Sequence, residues 1–207
     1  MHRAPLLALL ADYARRFPAE TAVAARFERF VRAHADCFER SCAPGHVTGS
    51  AWIVTHDRAA FLLTHHRKLG RWLQLGGHAD GDPDVARVAL REATEESGIH
   101  GLTLVSCDER APASRDVSAP TSRRVLAGAG GRIAPLDLDA HEIPARGAEP
   151  AHVHYDVRFL VVSPPDARLA ISDESIALRW FASAVPLGVE HDESVARLRA
   201  KANALVG

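Results

Sequence analysis

Three glutamates, Glu92, Glu95 and Glu96, stand at positions i, i+3 and i+4, a spacing that gathers three carboxylates on one side of a helix. As a solvated acidic face this arrangement is poor. Like charges so placed repel by roughly 0.2–0.5 kcal/mol per pair, and they fall near a helix C-terminus, where the macrodipole also disfavours anions. Arg87 and Arg91 offset only part of this. A divalent cation would turn the repulsion into coordination. Magnesium prefers oxygen ligands and keeps several waters, so a few carboxylates completed by substrate phosphate oxygens suit it.

The helix carrying these residues is well marked. Asp82 is a candidate N-cap with Pro83 at the first helical position, where its missing N–H costs nothing. Gly98 can adopt the left-handed conformation that ends a helix. Between them Ala86, Ala89, Leu90 and Ala93 form an apolar stripe whose small residues permit close approach to a sheet.

A second constellation alternates along residues 152–162. Val153, Tyr155, Val157, Phe159 and Val161 share one face of a strand, and His152, His154, Asp156 and Arg158 the other. This polar face either meets solvent or lines a substrate cleft, with Arg158 on phosphate and a histidine moving protons. Two histidines alone do not make a zinc site, and the sequence places no third ligand. Residues His65-His66-Arg67-Lys68 form a basic loop, solvated or phosphate-facing, and Trp72 either packs or stacks on a base.

Positioning these groups requires a sheet and helices, and the pattern supplies both. Leu6, Leu10, Tyr13 and Phe17 recur at helical spacing before Pro18, and Val23, Phe27, Phe30, Val31 and His34 form a second stripe. Residues 43–50 read as a loop. Strands are expected at 51–55, 59–64, 102–107, 136–143, 152–162 and 176–181, with 65–82 mostly loop. Residues 108–135, rich in Gly, Pro, Ser and Arg, read as a flexible insertion. A last helix carries Val195, Leu198, Ala202 and Leu205. Intermingled strands and helices make the class α+β.

Composition excludes several function classes. With 47% hydrophobic and 25% charged residues the chain is globular, and 25 basic against 26 acidic residues leave a net charge of −1. No global charge draws it to nucleic acid or an anionic membrane. Three cysteines, Cys37, Cys42 and Cys107, form no CxxC pair, which suits a reducing compartment. The apolar run at 6–11 lacks a signal-peptide cleavage site and no stretch approaches a membrane span, so the expected location is cytoplasmic.

Residues 77–99 resemble the Nudix signature: Gly77, Arg91, Glu92, Glu95, Glu96, Gly98 and Ile99 fall in register, and Ala93 takes the aliphatic position. Gly70, Trp72, Gly76 and Gly77 are similar to the family's lead-in. Pro83 replaces the signature's first Glu, with Asp82 or Asp84 as candidate substitutes, and Leu75 replaces a frequent Pro.

The resemblance, covering about residues 47–190, implies a Nudix-like α/β/α sandwich with a mixed β-sheet. An N-terminal helical extension (1–45) would precede a hydrolase domain (46–207) that contains the insertion and the C-terminal helix. It implies cleavage of a diphosphate linkage in a nucleoside diphosphate derivative by water attack at phosphorus, with Mg2+ or alternatively Mn2+. Glu92, Glu95, Glu96 and the Gly76 carbonyl would hold metal, and Arg91 would orient carboxylates. The general base would be Glu92 or a later carboxylate, Glu174 or Asp173. Arg158, His152, His154, Asp156, Trp72 and Arg67 are the candidate substrate contacts. The expected partner is a small molecule, with neither nucleic acid nor membrane, and the N-terminal helices could cover the core, cap the cleft or form a homodimer. Rival readings are an idle nucleotide-sensing domain, or an isoprenoid diphosphate isomerase using Cys107.

Overall fold

The computed structural model describes residues 2–105, 133–147, 149–173 and 175–206. Helices α1 (Ala4–Arg16) and α2 (Thr21–Ala33) open the chain. There follow β1 (Gly45–Val54), β2 (Ala60–His66), β3 (Trp72–Leu73), β4 (Leu75–His78), α3 (Val85–Ser97), β5 (Thr103–Leu104), β6 (Asp137–Ile143), β7 (His152–Val162), β8 (Ser175–Ala182) and α4 (Glu193–Val206). Cys107 and nearly all of the expected insertion lie outside the described residues. Among the described residues no helix is long and apolar enough to cross a membrane.

The sheet is mixed. Its main path runs β3-β2-β1-β7-β5, with β4 also pairing β1, β6 pairing β7 and β8 pairing β2. β1 and β7 are parallel from Gly45↔Val153 to Val54↔Val162; the β1–β4, β2–β8 and β6–β7 pairs are antiparallel. Residues 45–50, expected as loop, are the first half of β1, and 65–82 contains β3 and β4. The polar and Gly-rich composition of 45–50 hid a strand that is buried along its whole length. Its backbone is paired with β4 on one edge and β7 on the other, so burial leaves no unsatisfied ladder.

One face of the sheet receives α1, α2 and the start of α3. Leu6, Leu10, Phe27, Phe30, Val47, Val85, Val88, Tyr155 and Val157 share a single core there. Phe30 stacks on Tyr155 with centroids 3.9 Å apart, and Phe27 meets the same ring edge-on at 5.2 Å. The N-terminal helices therefore cover the sheet. Against the other face α4 packs Val195, Leu198 and Ala202 onto Trp52, Leu136, Leu160 and Val162; Leu205, expected on that stripe, is exposed.

The polar face of β7 is inside the protein. Arg158 is 2% exposed, with Nε donating to Asp156 at 2.7 Å, Nη1 to Asp137 at 3.3 Å and Nη2 to Asp139 at 3.1 Å. Arg197 of α4 donates to Asp137 (2.9 Å) and Asp139 (2.7 Å). Lys201 reaches Asp137 and Glu20, both at 2.7 Å, and the Tyr13 hydroxyl, which itself bonds Glu20. Three carboxylates of β6 and β7 thus meet three cations. Burial pushes the Asp139 carboxyl up, but its hydrogen bond with His141 and the Arg158 and Arg197 guanidiniums hold it well below its usual range. Removing one member of such a buried set costs about 3–5 kcal/mol, because the others are left buried without a counter-charge. Arg158→Met should lower urea-unfolding stability by that amount, whereas the exposed Glu95→Gln should change it by less than about 0.5 kcal/mol; equal effects would contradict the assignment.

Candidate active site

Helix α3 starts two residues later than its composition suggests. Asp82 accepts the Asp84 N–H at 2.9 Å and pairs with Arg87 at 2.6 Å. The cap passes to Asp84, whose carboxylate accepts the Arg87 N–H at 3.1 Å. Gly98 ends the helix at φ 69°, as expected. The buried stripe is Val85, Val88, Ala89 and Ala93, rotated so that Ala86 and Leu90 are only partly covered. Close approach explains the rotation. A Cβ on Gly49 of β1 would stand 2.7 Å from the Val85 carbonyl oxygen and 3.1 Å from the Ala89 nitrogen, so the first turns of α3 lie directly on β1.

This seating carries two of the three glutamates onto β4. Glu96 is 8% exposed and accepts the Gly76 N–H at 3.3 Å. The Glu92 side chain is 15% exposed, its Oε1 2.7 Å from Arg91. A Cβ on Gly77 would meet Glu92 Oε2 at 2.4 Å, so glycine is what lets this carboxylate lie flat against the strand. Glu95 faces solvent instead. Arg91 Nη2 lies 2.7 Å from Glu92 Oε1 and donates to the His78 carbonyl at 2.8 Å.

The other expected contacts distribute themselves around this edge. Asp156 lies under β4, accepting from Thr48 (2.9 Å), Ser50 (2.8 Å) and Gln74 (3.4 Å). Arg158 faces carboxylates here where the sequence suggested phosphate, because Asp137, Asp139 and Asp156 enclose its guanidinium. Trp72 packs between His65 at 5.1 Å and Phe181 at 5.1 Å. Arg67 donates to the carbonyls of Asp173 (2.9 Å) and Ser175 (3.0 Å), bracing the chain on both sides of position 174. Glu174 itself lies outside the described residues.

His152 and His154 are joined by two histidines that the sequence reading did not single out. His46 on β1 is the register partner of His154. The His46 ring centroid lies 5.0 Å from His78, 4.9 Å from His152 and 4.8 Å from His154. Burial pushes the pKa of His46 down to about 4 and lowers those of His78 and His154, with His78 and His152 adding to the effect at His46, Arg40 at His78, and His46 and His78 at His154. The signal that would have found His46 is the alternation His46, Thr48, Ser50 on a strand begun at Gly45.

The two glycines of β4 make different predictions. The atoms nearest a Cβ added at Gly77 are those of the Glu92 carboxylate, a side-chain end that can be displaced without moving backbone. In Gly77→Ala stability should therefore fall by no more than about 1 kcal/mol while Mn2+ affinity, read by titration, drops about tenfold. Gly76→Ala would press on the Ser50 backbone at 2.6 Å and should lower the melting temperature clearly further. Unchanged Mn2+ affinity in Gly77→Ala would contradict the placement of Glu92.

In sequence, no protein-family profile and no curated protein matches the chain. In three dimensions it is similar to a Nudix-family hydrolase from Clostridium perfringens (22% identity, TM-score 0.51, covering 77% of this chain and 95% of that one). It is similar to an Ap4A hydrolase from C. elegans (17%, 0.52, 77% and 96%). A third likeness is to the dihydroneopterin triphosphate pyrophosphohydrolase of E. coli (17%, 0.51, 77% and 94%). This chain therefore has the fold of the Nudix hydrolases.

Proposed function

We propose that this chain is a metal-dependent pyrophosphohydrolase that cleaves a diphosphate linkage in a nucleoside diphosphate derivative by attack of water at phosphorus. One observation carries this reading: Glu92 and Glu96 are turned together onto the Gly76–Gly77 edge of β4, each largely removed from solvent. With Arg91 beside one of them, two neighbouring carboxylates so far removed from solvent still gain from a divalent cation that joins them. Their all-oxygen donor set, completed by the Gly76 carbonyl, fits magnesium, with manganese as the alternative. When bound, such an ion neutralises diphosphate oxygens and acidifies a coordinated water.

The remaining work belongs to the chain. The Gly76 N–H and Arg91 hold the two carboxylates in place, so the charge that receives the substrate is preorganised. Glu95, exposed one turn away, joins from the solvent side. A base is needed for the attacking water, and Glu92 or a carboxylate of residues 173–174 takes that role. Asp156, Trp72, His152 and His154 stay candidate substrate contacts in this reading. The structural neighbours carry different substrates in their names, and the reading therefore stops at a nucleoside diphosphate derivative. Small-molecule chemistry needs neither nucleic acid nor a membrane surface.

The test is turnover of a panel of nucleoside diphosphate derivatives with Mg2+ or Mn2+. Glu96→Gln, nearly isosteric and still able to sit beside the Gly76 N–H, should lower kcat by about 100-fold or more while the melting temperature stays within a few degrees. Near-normal turnover in this variant would refute the assignment. Nucleotide binding without cleavage by the wild type would favour a sensor domain in its place.

A further inference from the structure

Beyond the carboxylate edge, one row of β1 and β7 further along, side-chain nitrogens converge where the sequence offered only two. One ligand atom each from His46, His78 and His154 lies within 4.8 Å of the others. They come from three adjacent strands: His46 and His154 are paired in register across β1 and β7, and His78 closes β4 beside Thr48. His46 is 2% exposed, and neither of its ring nitrogens has a hydrogen-bond partner among the described residues. A buried imidazole without a partner costs about 1–3 kcal/mol, and most buried polar groups are satisfied. Among the described residues nothing satisfies this one.

We propose that His46, His78 and His154 form a second metal site, distinct from the glutamates, that takes a zinc-like divalent ion. Three neutral imidazoles are a borderline-soft donor set suited to zinc and poorly suited to magnesium. Nitrogens around a tetrahedral zinc are about 3.3–3.4 Å apart, given Zn–N bonds of ~2.0–2.1 Å, so the rings need close by only an ångström or so from their present separation. Support from outside is in place. His152 Nδ1 lies 2.9 Å from the Pro150 carbonyl, which fixes a donating Nδ1 and leaves Nε2 as an acceptor 3.2 Å from His154 Nε2. Backbone-anchored histidines of this kind orient metal ligands. The Glu149 carboxylate, 3.8 Å from His152 Nε2, adds negative charge nearby, while Asp80 is paired with Arg40 at 2.5 Å. Three protein ligands leave a fourth position for water or a substrate oxygen, the pattern of a reactive zinc site rather than a closed structural one.

The whole chain, stripped of metal with a chelator, is titrated with Co2+ and with Zn2+. One equivalent of Co2+ should produce the intense visible bands of a tetrahedral nitrogen site, and Zn2+ should displace it. His154→Ala and His78→Ala should weaken Zn2+ binding by at least about 100-fold, above the 10–100-fold typical of outer-shell partners. Glu96→Gln should keep the bands. Melting curves of the metal-free variants establish that they fold. Should they not fold, imidazole proton resonances of the wild type supply the readout, with Zn2+ shifting His46, His78 and His154 and leaving His2 and His56 in place. Weak octahedral Co2+ spectra, wild-type affinity in the histidine variants, or bands lost in Glu96→Gln would each overturn the site. Since the readout is metal binding, it stands or falls apart from the hydrolase assay.

Discussion

The Arg158 guanidinium is the junction on which the architecture depends. It sits at the middle of β7, without access to water, and binds Asp156 on its own strand and Asp137 and Asp139 on β6. Through Asp156 the same junction reaches Thr48 and Ser50 of β1 and Gln74 beside β4. Through Asp137 it reaches α4 and, by way of Lys201 and Glu20, the start of α2. Burying this much charge is not a route to high stability, since well-packed apolar residues often do as well. What it does secure is register. A slip of β7 by one residue would place Arg158 in the apolar face and Val157 among carboxylates, a state with several unpaired charges.

Register in turn decides what stands at the site. With β1 and β7 locked, Ser50 and Gly49 fall opposite Gly76 and Gly77, and the bare backbone of Gly49 admits α3. That close contact fixes the rotation of α3, which aims Glu92 and Glu96 at β4 and leaves Glu95 outside. The same pairing puts His46 against His154. Oxygen donors and nitrogen donors are thereby sorted to neighbouring rows of one sheet.

The chemistry-bearing helix was legible because its information is local: the 92/95/96 spacing, the left-handed Gly98 and a run of good helix formers. β7 was legible too, since strict alternation over 152–162 survives into the structure with the same bounds. The first half of β1 was not. Gly45, Gly49 and Ser50 lack strand propensity, and what makes this stretch a strand is pairing on both edges and the hydrogen bonds of Thr48 and Ser50 to Asp156, over a hundred residues away. Losing that half-strand hid His46, and with it the histidine cluster. The polar face of β7 was read as solvent-facing or cleft-lining because its counter-charges, Arg197 and Lys201, belong to a helix whose sequence stripe shows only its apolar side. Likewise the spacing of the glutamates says that they neighbour one another, but only the seating of α3 says which of them point inward.

The Lys201 bridge has a consequence for how the chain assembles as it is made. Lys201 of α4 contacts Glu20 and Tyr13 near the beginning of the chain and Asp137 in its middle. Contacts of such long sequence separation are slow to form, and here three of them converge on one ammonium group. A nascent chain that has emerged through β8 holds Asp137 without two of its three cations, since Arg197 and Lys201 are still to be synthesised. The sheet can pair by then, but its polar interior is charge-imbalanced until the last helix arrives. Arrival of α4 is therefore what balances the charge of that interior and ties it to the segment around Tyr13 and Glu20.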